Sequence, residues 1–217
     1  MRRQSGFTII EIIIVVIILG LLAATALPRF LDNVDEAEDA SLEGVTGGFA
    51  TAVGLVRAQW EVAGRPSGND APANTNYTFV TLDNNQVSVD GSTIYAVNTG
   101  SRGYPTGAYP LTDAPLDDSR SSVMTSARCA EVFRLILQNP PAIVAFVDAA
   151  TTDPLLANNK YVTRVGTGAT AAVCYYFQTN GLSATPAVPT TLAGTVLQNY
   201  FSYNSATGEV RAQRLKP

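Results

Sequence analysis

Residues Phe7 to Leu27 read FTIIEIIIVVIILGLLAATAL, an uninterrupted apolar run of 21 positions whose one charge is Glu11. As a helix rising 1.5 Å per residue, such a run spans about 30 Å, the thickness of a bilayer's hydrocarbon core. Before it lies MRRQSG, where Arg2 and Arg3 form a cationic flank. The positive-inside rule then leaves the N-terminus in the cytoplasm and exports everything after Leu27. Asp32, Asp35, Glu36, Glu38, Asp39 and Glu43, just beyond the run, agree with that orientation.

A cleaved secretory signal is the plain alternative, because Ala24-Thr25-Ala26 matches its small-residue cleavage pattern. Two features oppose it. The apolar core exceeds the roughly 7 to 15 residues of such a signal, and it contains a carboxylate. An acid near the centre of a span costs about 2.5–3.5 kcal/mol, less towards an end, so it needs a partner. Cutting the Gly6–Phe7 bond would create one, the new α-amine of Phe7. That amine lies one helical turn before Glu11, or comes from a neighbouring chain.

A basic leader ending in Gly6, then Phe7-Thr8-Ile9-Ile10-Glu11 and a long apolar helix, resembles the class III signal of type IV prepilins and type II secretion pseudopilins. The resemblance implies an α+β fold, in which a long N-terminal helix packs on a C-terminal antiparallel sheet domain. It also implies cleavage after Gly6 by the inner-membrane prepilin peptidase and N-methylation of Phe7. Glu11 would then neutralise the Phe7 amine of an adjacent subunit during assembly. Gly20 and Pro28 weaken helix continuity by roughly 1 and 3 kcal/mol. In this family the segment between such residues can lose helical structure on entering a filament, although both residues are also ordinary in spanning helices. The division expected is a leader over 1–6, an assembly helix over 7–28, an amphipathic helix over 29–64 and a β-rich exported domain over 65–217.

No proline follows Pro28 until Pro66, and Gly64-Arg65-Pro66 is a terminator. Leu42, Val45, Phe49, Val53, Val56 and Trp60 recur at steps of three and four, the core face of an amphipathic helix. On the opposite arc Ala37, Ala40, Gly44, Gly47, Thr51, Gly54 and Ala58 are all small. Small residues let another backbone approach closely. The approaching chain is either a helix of a neighbouring subunit or a loop of the same chain. The glycines between 44 and 48 also make a bend there expected.

In the exported part, strands are predicted at Tyr77–Leu82, Gln86–Val89, Thr93–Val97, Ala142–Val147, Tyr161–Val165, Ala171–Gln178, Tyr200–Tyr203 and Glu209–Gln213. Asp83-Asn84-Asn85, Asp90-Gly91, Asn180-Gly181 and Thr207-Gly208 supply turns. A second helix is expected over Ser121–Gln138, ending before Asn139-Pro140-Pro141. Residues Gly100 to Arg120 read as a surface excursion. Cys129 and Cys174, an isolated pair in an exported chain, read as a disulfide, with two buried thiols or a metal site as alternatives. The segments CAEVFRLILQNPP, CYYF and NYFSYNSATGEV resemble pilins of the mannose-sensitive haemagglutinin type. Asp113, Asp117 and Asp118 could bind calcium, as an acidic loop does in pseudopilins; the plainer reading is solvated acids capping the following helix.

Composition narrows the function. Histidine is absent, which removes every His-based triad, metal site and acid–base mechanism. A net charge of −4 argues against reading nucleic acid through a basic surface. No nucleophile–base constellation or phosphate-binding glycine loop is present, and Gly166 and Gly168 fall in a turn between strands. An enzyme is not expected, nor a cofactor or metal. The classes left are a pilus subunit, a secretion pseudopilin and a signal-anchored binding domain that never polymerises. The partners expected are prepilin peptidase, other pilin subunits and inner-membrane lipid. The location expected is the inner membrane before assembly and a surface fibre after it.

Overall fold

The computed structural model describes residues 7–69, 77–91, 102–110, 119–146, 153–166, 172–180 and 199–214. The chain divides into two compact units, 1–41 and 42–217. Helix α1, Ile9–Val62, contributes residues to both, with Pro28 inside it. It runs unbroken through Gly44–Gly48, where the glycines make a bend expected.

In the second unit α1 buries Leu42, Phe49, Val53, Val56 and Trp60, with Val45 half-buried. The small residues of the opposite arc are exposed, and no heavy atom lies within 4 Å of where a Cβ would stand at Gly44, Gly47 or Gly54. The helix stops in a Schellman motif. Gly64, at φ 83°, donates its N–H to Glu61 O (3.1 Å) and Arg65 donates to Trp60 O (2.9 Å). These bonds satisfy carbonyls that the helix end would otherwise orphan.

Strands β1 (Phe79–Leu82), β2 (Asn85–Val89) and β3 (Pro105–Ala108) form an antiparallel sheet in that order. Asp83 and Asn84, both at positive φ, make the two-residue β1–β2 turn. The third strand corrects the expectation of a surface excursion over 100–120. Thr106 and Gly107 are buried; Gly107 pairs with Ser88 and Pro105 with Val89, and Thr106 is the extra residue of the bulge between them. Pro-Thr-Gly-Ala has no apolar alternation to announce a strand. The predicted strand over 93–97 lies outside the described residues.

The second helix is also shorter than its apolar spacing suggests. A 3₁₀ turn at Ser121–Val123 precedes α2, Ser126–Ile136, which Thr125 caps by accepting the Arg128 N–H (3.1 Å). Leu137 is already extended. Strands β4 (Ile143–Ala145), β5 (Tyr161–Val165), β6 (Val173–Gln178), β7 (Tyr200–Asn204) and β8 (Glu209–Gln213) form the larger sheet in that order. A short helix α3, Asp153–Ala157, unforeseen in the sequence, lies between β4 and β5. The pair β4·β5 is parallel and the other pairs are antiparallel, so the sheet is antiparallel-rich as expected.

Alternation along β5, β6 and β7 sends Tyr161, Tyr176, Phe201 and Tyr203 into the core. Phe49 of α1 sits among them, its ring 5.3–6.1 Å from those of Phe133, Tyr176, Phe201 and Tyr203. The buried phenols donate to backbone carbonyls, Tyr176 to Cys129 O (2.9 Å) and Tyr203 to Pro105 O (2.8 Å). Cys129 on α2 and Cys174 on β6 are both fully buried and joined as a disulfide at 1.99 Å.

Side chains close three strand edges against further pairing. Asn69 bonds both the N–H and the C=O of Phe79, Glu131 accepts the Ala108 N–H, and Arg134 donates to Ile143 O.

Burial raises the phenol pKa of Tyr176 and of Tyr203 well above the ordinary value near 10. A folded pKa above the unfolded one leaves stability intact below pH 10 and removes it as pH rises beyond. We therefore expect stability above pH 10 to fall by up to roughly 1.4 kcal/mol per pH unit for each buried phenol. Alkaline unfolding monitored by near-ultraviolet circular dichroism checks this. The Tyr203→Phe variant should show a shallower loss, and an unchanged slope would contradict the assignment.

Two glycines fix how α1 meets the sheets. At Gly103 (φ 68°) a Cβ would lie 2.5 Å from Trp60 Cγ; at Gly208 (φ 74°) it would lie 2.6 Å from Tyr104 Cδ1. Arg57 stacks on both rings, 4.6 Å from Trp60 and 5.2 Å from Tyr104. Gly103→Ala should cost about 2–4 kcal/mol from strain and overpacking together, read as a lowered denaturation midpoint. A midpoint within error of wild type would show that the indole can move aside.

Candidate assembly and processing site

The start of α1 is a capping box. Thr8 Oγ1 accepts the Glu11 N–H (3.3 Å), and Glu11 Oε2 accepts both the Thr8 N–H (2.9 Å) and the Thr8 hydroxyl (2.7 Å). One carboxylate thereby satisfies an orphan donor of the helix start and sits near the positive end of its dipole. Both bonds fall on Oε2. Among the described residues, Oε1 is left for a further donor.

This role of Thr8 escaped the sequence reading, although Thr-x-x-Glu before an apolar run is the signature of such a box. Phe7 is the first described residue and is 84% exposed. Gly6, the residue before the expected cleavage, lies outside the described residues.

Behind Glu11 every large side chain from Ile12 to Leu31 is at least half exposed. By length and composition this helix is long and apolar enough to cross a membrane. Gly20 and Pro28 both lie inside it. Pro28 has no N–H to offer Ala24 O, and Thr25 turns its hydroxyl back onto Leu22 O (3.0 Å). Pro28 thus removes one helical bond, at Ala24 O, whereas Gly20 keeps its N–H.

Asp113, Asp117 and Asp118 lie outside the described residues. Among the described residues no group of three or more acidic or cysteine side chains is placed to hold a metal ion. Sequence reasoning also missed Arg128, fully buried on α2, because spacing alone reads an arginine as a surface residue.

A helix start carrying an aromatic, a hydroxyl and an acid, an exposed apolar half, and a stapled β-rich head fit a class of membrane-anchored precursor with an N-terminal processing signal. Comparison with known proteins agrees. The family model of the prokaryotic N-terminal methylation motif matches residues 1–27. The type IV narrow pilus major component PilA5 of Thermus thermophilus is 32% identical over 115 residues, covering 51% of this chain and 97% of that protein. Fimbrial protein Q of Moraxella bovis is 30% identical over 136 residues, 60% of this chain and 83% of its own length. The type II secretion system core protein G of Pseudomonas aeruginosa is 34% identical over 86 residues, 35% of this chain and 61% of its own. No solved structure matches. The chain belongs to the type IV pilin family, and its fold is the α+β pilin fold, a long N-terminal helix with a C-terminal sheet domain.

Proposed function

We propose that this chain is a structural subunit of a bacterial type IV pilus. In this reading prepilin peptidase cuts after Gly6, Phe7 is N-methylated, and subunits polymerise through α1 into a surface fibre for adhesion or motility. The carrying observation is the exposed apolar helix from Ile9 to Leu31, with its single acid held at the first turn. Such a surface is costly in water and has two covers available, lipid before assembly and other copies after it. The head stays on the periplasmic side until extraction.

The pilus reading over the secretion one is supported by the length of the matches. Alignment runs nearly end to end with a pilus component but over 61% of a secretion pseudopilin. The Cys129–Cys174 disulfide and the α2, β6 and β7–β8 sequences support a relation to the mannose-sensitive haemagglutinin type. The identity to secretion core protein G favours the second reading, a pseudopilin.

Sheared surface fibres should contain this chain with N-methylphenylalanine at position 7 by mass spectrometry. A chain present only in membranes, whose deletion abolishes protein secretion, would favour the pseudopilin.

The exposed small face of α1 gives a further expectation. Gly44→Leu with Gly54→Leu should reduce fibre yield by at least about tenfold, since a side chain in a close helix interface forces off-rotamer packing costing about 1–3 kcal/mol. The head should keep its unfolding transition, because neither position has a neighbour within 4 Å. Normal fibres would remove this face from the interface.

A further inference from the structure

The outer edges of the two sheets are β1, β3, β4 and β8, and side chains close the first three, through Asn69, Glu131 and Arg134. The edge left is β8. Among the described residues nothing outside β7 bonds the backbone of Val210, Arg211, Ala212 or Gln213. Every position of the strand is exposed except Val210, which is half-buried.

Strand β8 also lacks the devices that blunt an edge, a proline, a bulge or a charge on the core-facing side. Its register against β7 runs without a break from the pair Tyr200 and Gln213 to the pair Asn204 and Glu209. Val210 and Ala212 share the face of Tyr203 and Phe201, their partners across β7. Both charges, Glu209 and Arg211, stand on the outward face. They are opposite in sign and two residues apart, and Arg211 donates to Glu209 along the strand.

A bare edge accepts another extended strand, and the charges select which one. Side chains directly opposite in an antiparallel pair share a face. With a second β8 laid antiparallel and Val210 set against Val210, Glu209 of each copy falls opposite Arg211 of the other. The two valines then meet on the core-facing side. Centring the pair on Arg211 sets that arginine against itself, and centring it on Ala212 sets Arg211 against Gln213. A parallel pair in register sets like charges together throughout. Of these arrangements only the first matches every charge.

We propose that β8 pairs edge to edge with β8 of a second copy, antiparallel and centred on Val210, joining two five-stranded sheets into one. The contact is isologous, so it closes on two copies and does not extend a fibre. It uses nothing of α1 and goes beyond the subunit reading; on that reading it ties the head of one fibre to the head of another.

The full-length chain in detergent carries the test and needs no fibre. Val210→Cys should oxidise to a dimer and nothing larger, because opposite Cβ atoms lie about 4.5–5.5 Å apart. Ala212→Cys should stay monomeric, since its two copies stand four residues out of step, about 14 Å along the strand. A monomeric Val210→Cys, or an Ala212→Cys that cross-links equally, overturns the proposal.

Sedimentation of chains without added cysteine tests the charges independently. Wild type should form a concentration-dependent dimer. Arg211→Glu should weaken it about tenfold, by setting carboxylates against carboxylates at two places, and adding Glu209→Arg should restore it. A wild type monomeric throughout, or a double variant no better than the single one, overturns the pairing. Restored dimers from a chain that never enters surface fibres would support the contact and remove the pilus reading instead.

Discussion

Glu11→Ala should leave membrane insertion and leader removal intact while lowering incorporation into fibres by about 100-fold or more. The reason is electrostatic. In the proposed reading a cut after Gly6 would leave an ammonium group at the depth of the apolar helix start, and Glu11 is the one acid between Phe7 and Leu27 to meet it. Removing one partner of a buried pair costs about 3–5 kcal/mol, because the other charge stays behind unpaired. The capping box complicates the reading in a useful way, since Glu11 also bonds its own Thr8.

Glu11→Gln separates the two roles. Its amide oxygen still accepts from Thr8 but carries no charge. If charge pairing drives assembly, the glutamine variant fails as badly as the alanine variant. If helix capping is the whole role, it assembles like wild type, and the pairing is wrong. The ratio of sheared-fibre protein to membrane protein on immunoblots measures both, with the mature N-terminus checked by mass spectrometry.

Much of the architecture was legible because it rests on signals that are local in the chain. The α1 core stripe is a period of three to four, and its stop is a glycine that can take positive φ. Strands β5 and β8 fall where β-branched and aromatic residues lie between turn formers, with the same bounds as predicted. What the sequence hid depends on partners far along the chain. Nothing in Pro105–Ala108 alternates, and it is a strand because β2 offers backbone groups to it and Glu131 closes its other edge. The parallel sense of β4·β5 is a matter of connection, not composition.

At the candidate site the difficulty was different. Glu11 stood out as the one charge in an apolar run, and that prominence drew the reading towards a distant partner. Thr8, quoted in the same motif, adds a hydrogen-bond partner within the same chain but no charge.

The second large effect is expected at the disulfide. Cys129 and Cys174 are 45 residues apart in sequence, and cross-linking a loop of that length restricts the unfolded chain by about 4 kcal/mol in the entropic account. The native side adds to the expectation. Both cysteines are fully buried in the core that Phe49, Phe133 and Tyr176 share, and Tyr176 bonds the carbonyl of Cys129 itself. Cys129→Ala with Cys174→Ala therefore removes the staple and leaves α2 held to β6 by packing and the hydrogen bond from Tyr176 to the residue 129 carbonyl.

For a head of this size 1 kcal/mol corresponds to about 2–4 °C, so the melting temperature should fall by about 8–16 °C. Calorimetry of the full-length protein in detergent measures it, with reductant added to wild type as an independent route to the same state. Agreement between the reduced wild type and the double variant assigns the loss to the cross-link. A drop in the variant alone would assign it to the two small cavities left by the sulfurs, and no drop in either would mean that the sheet and α1 hold α2 without it.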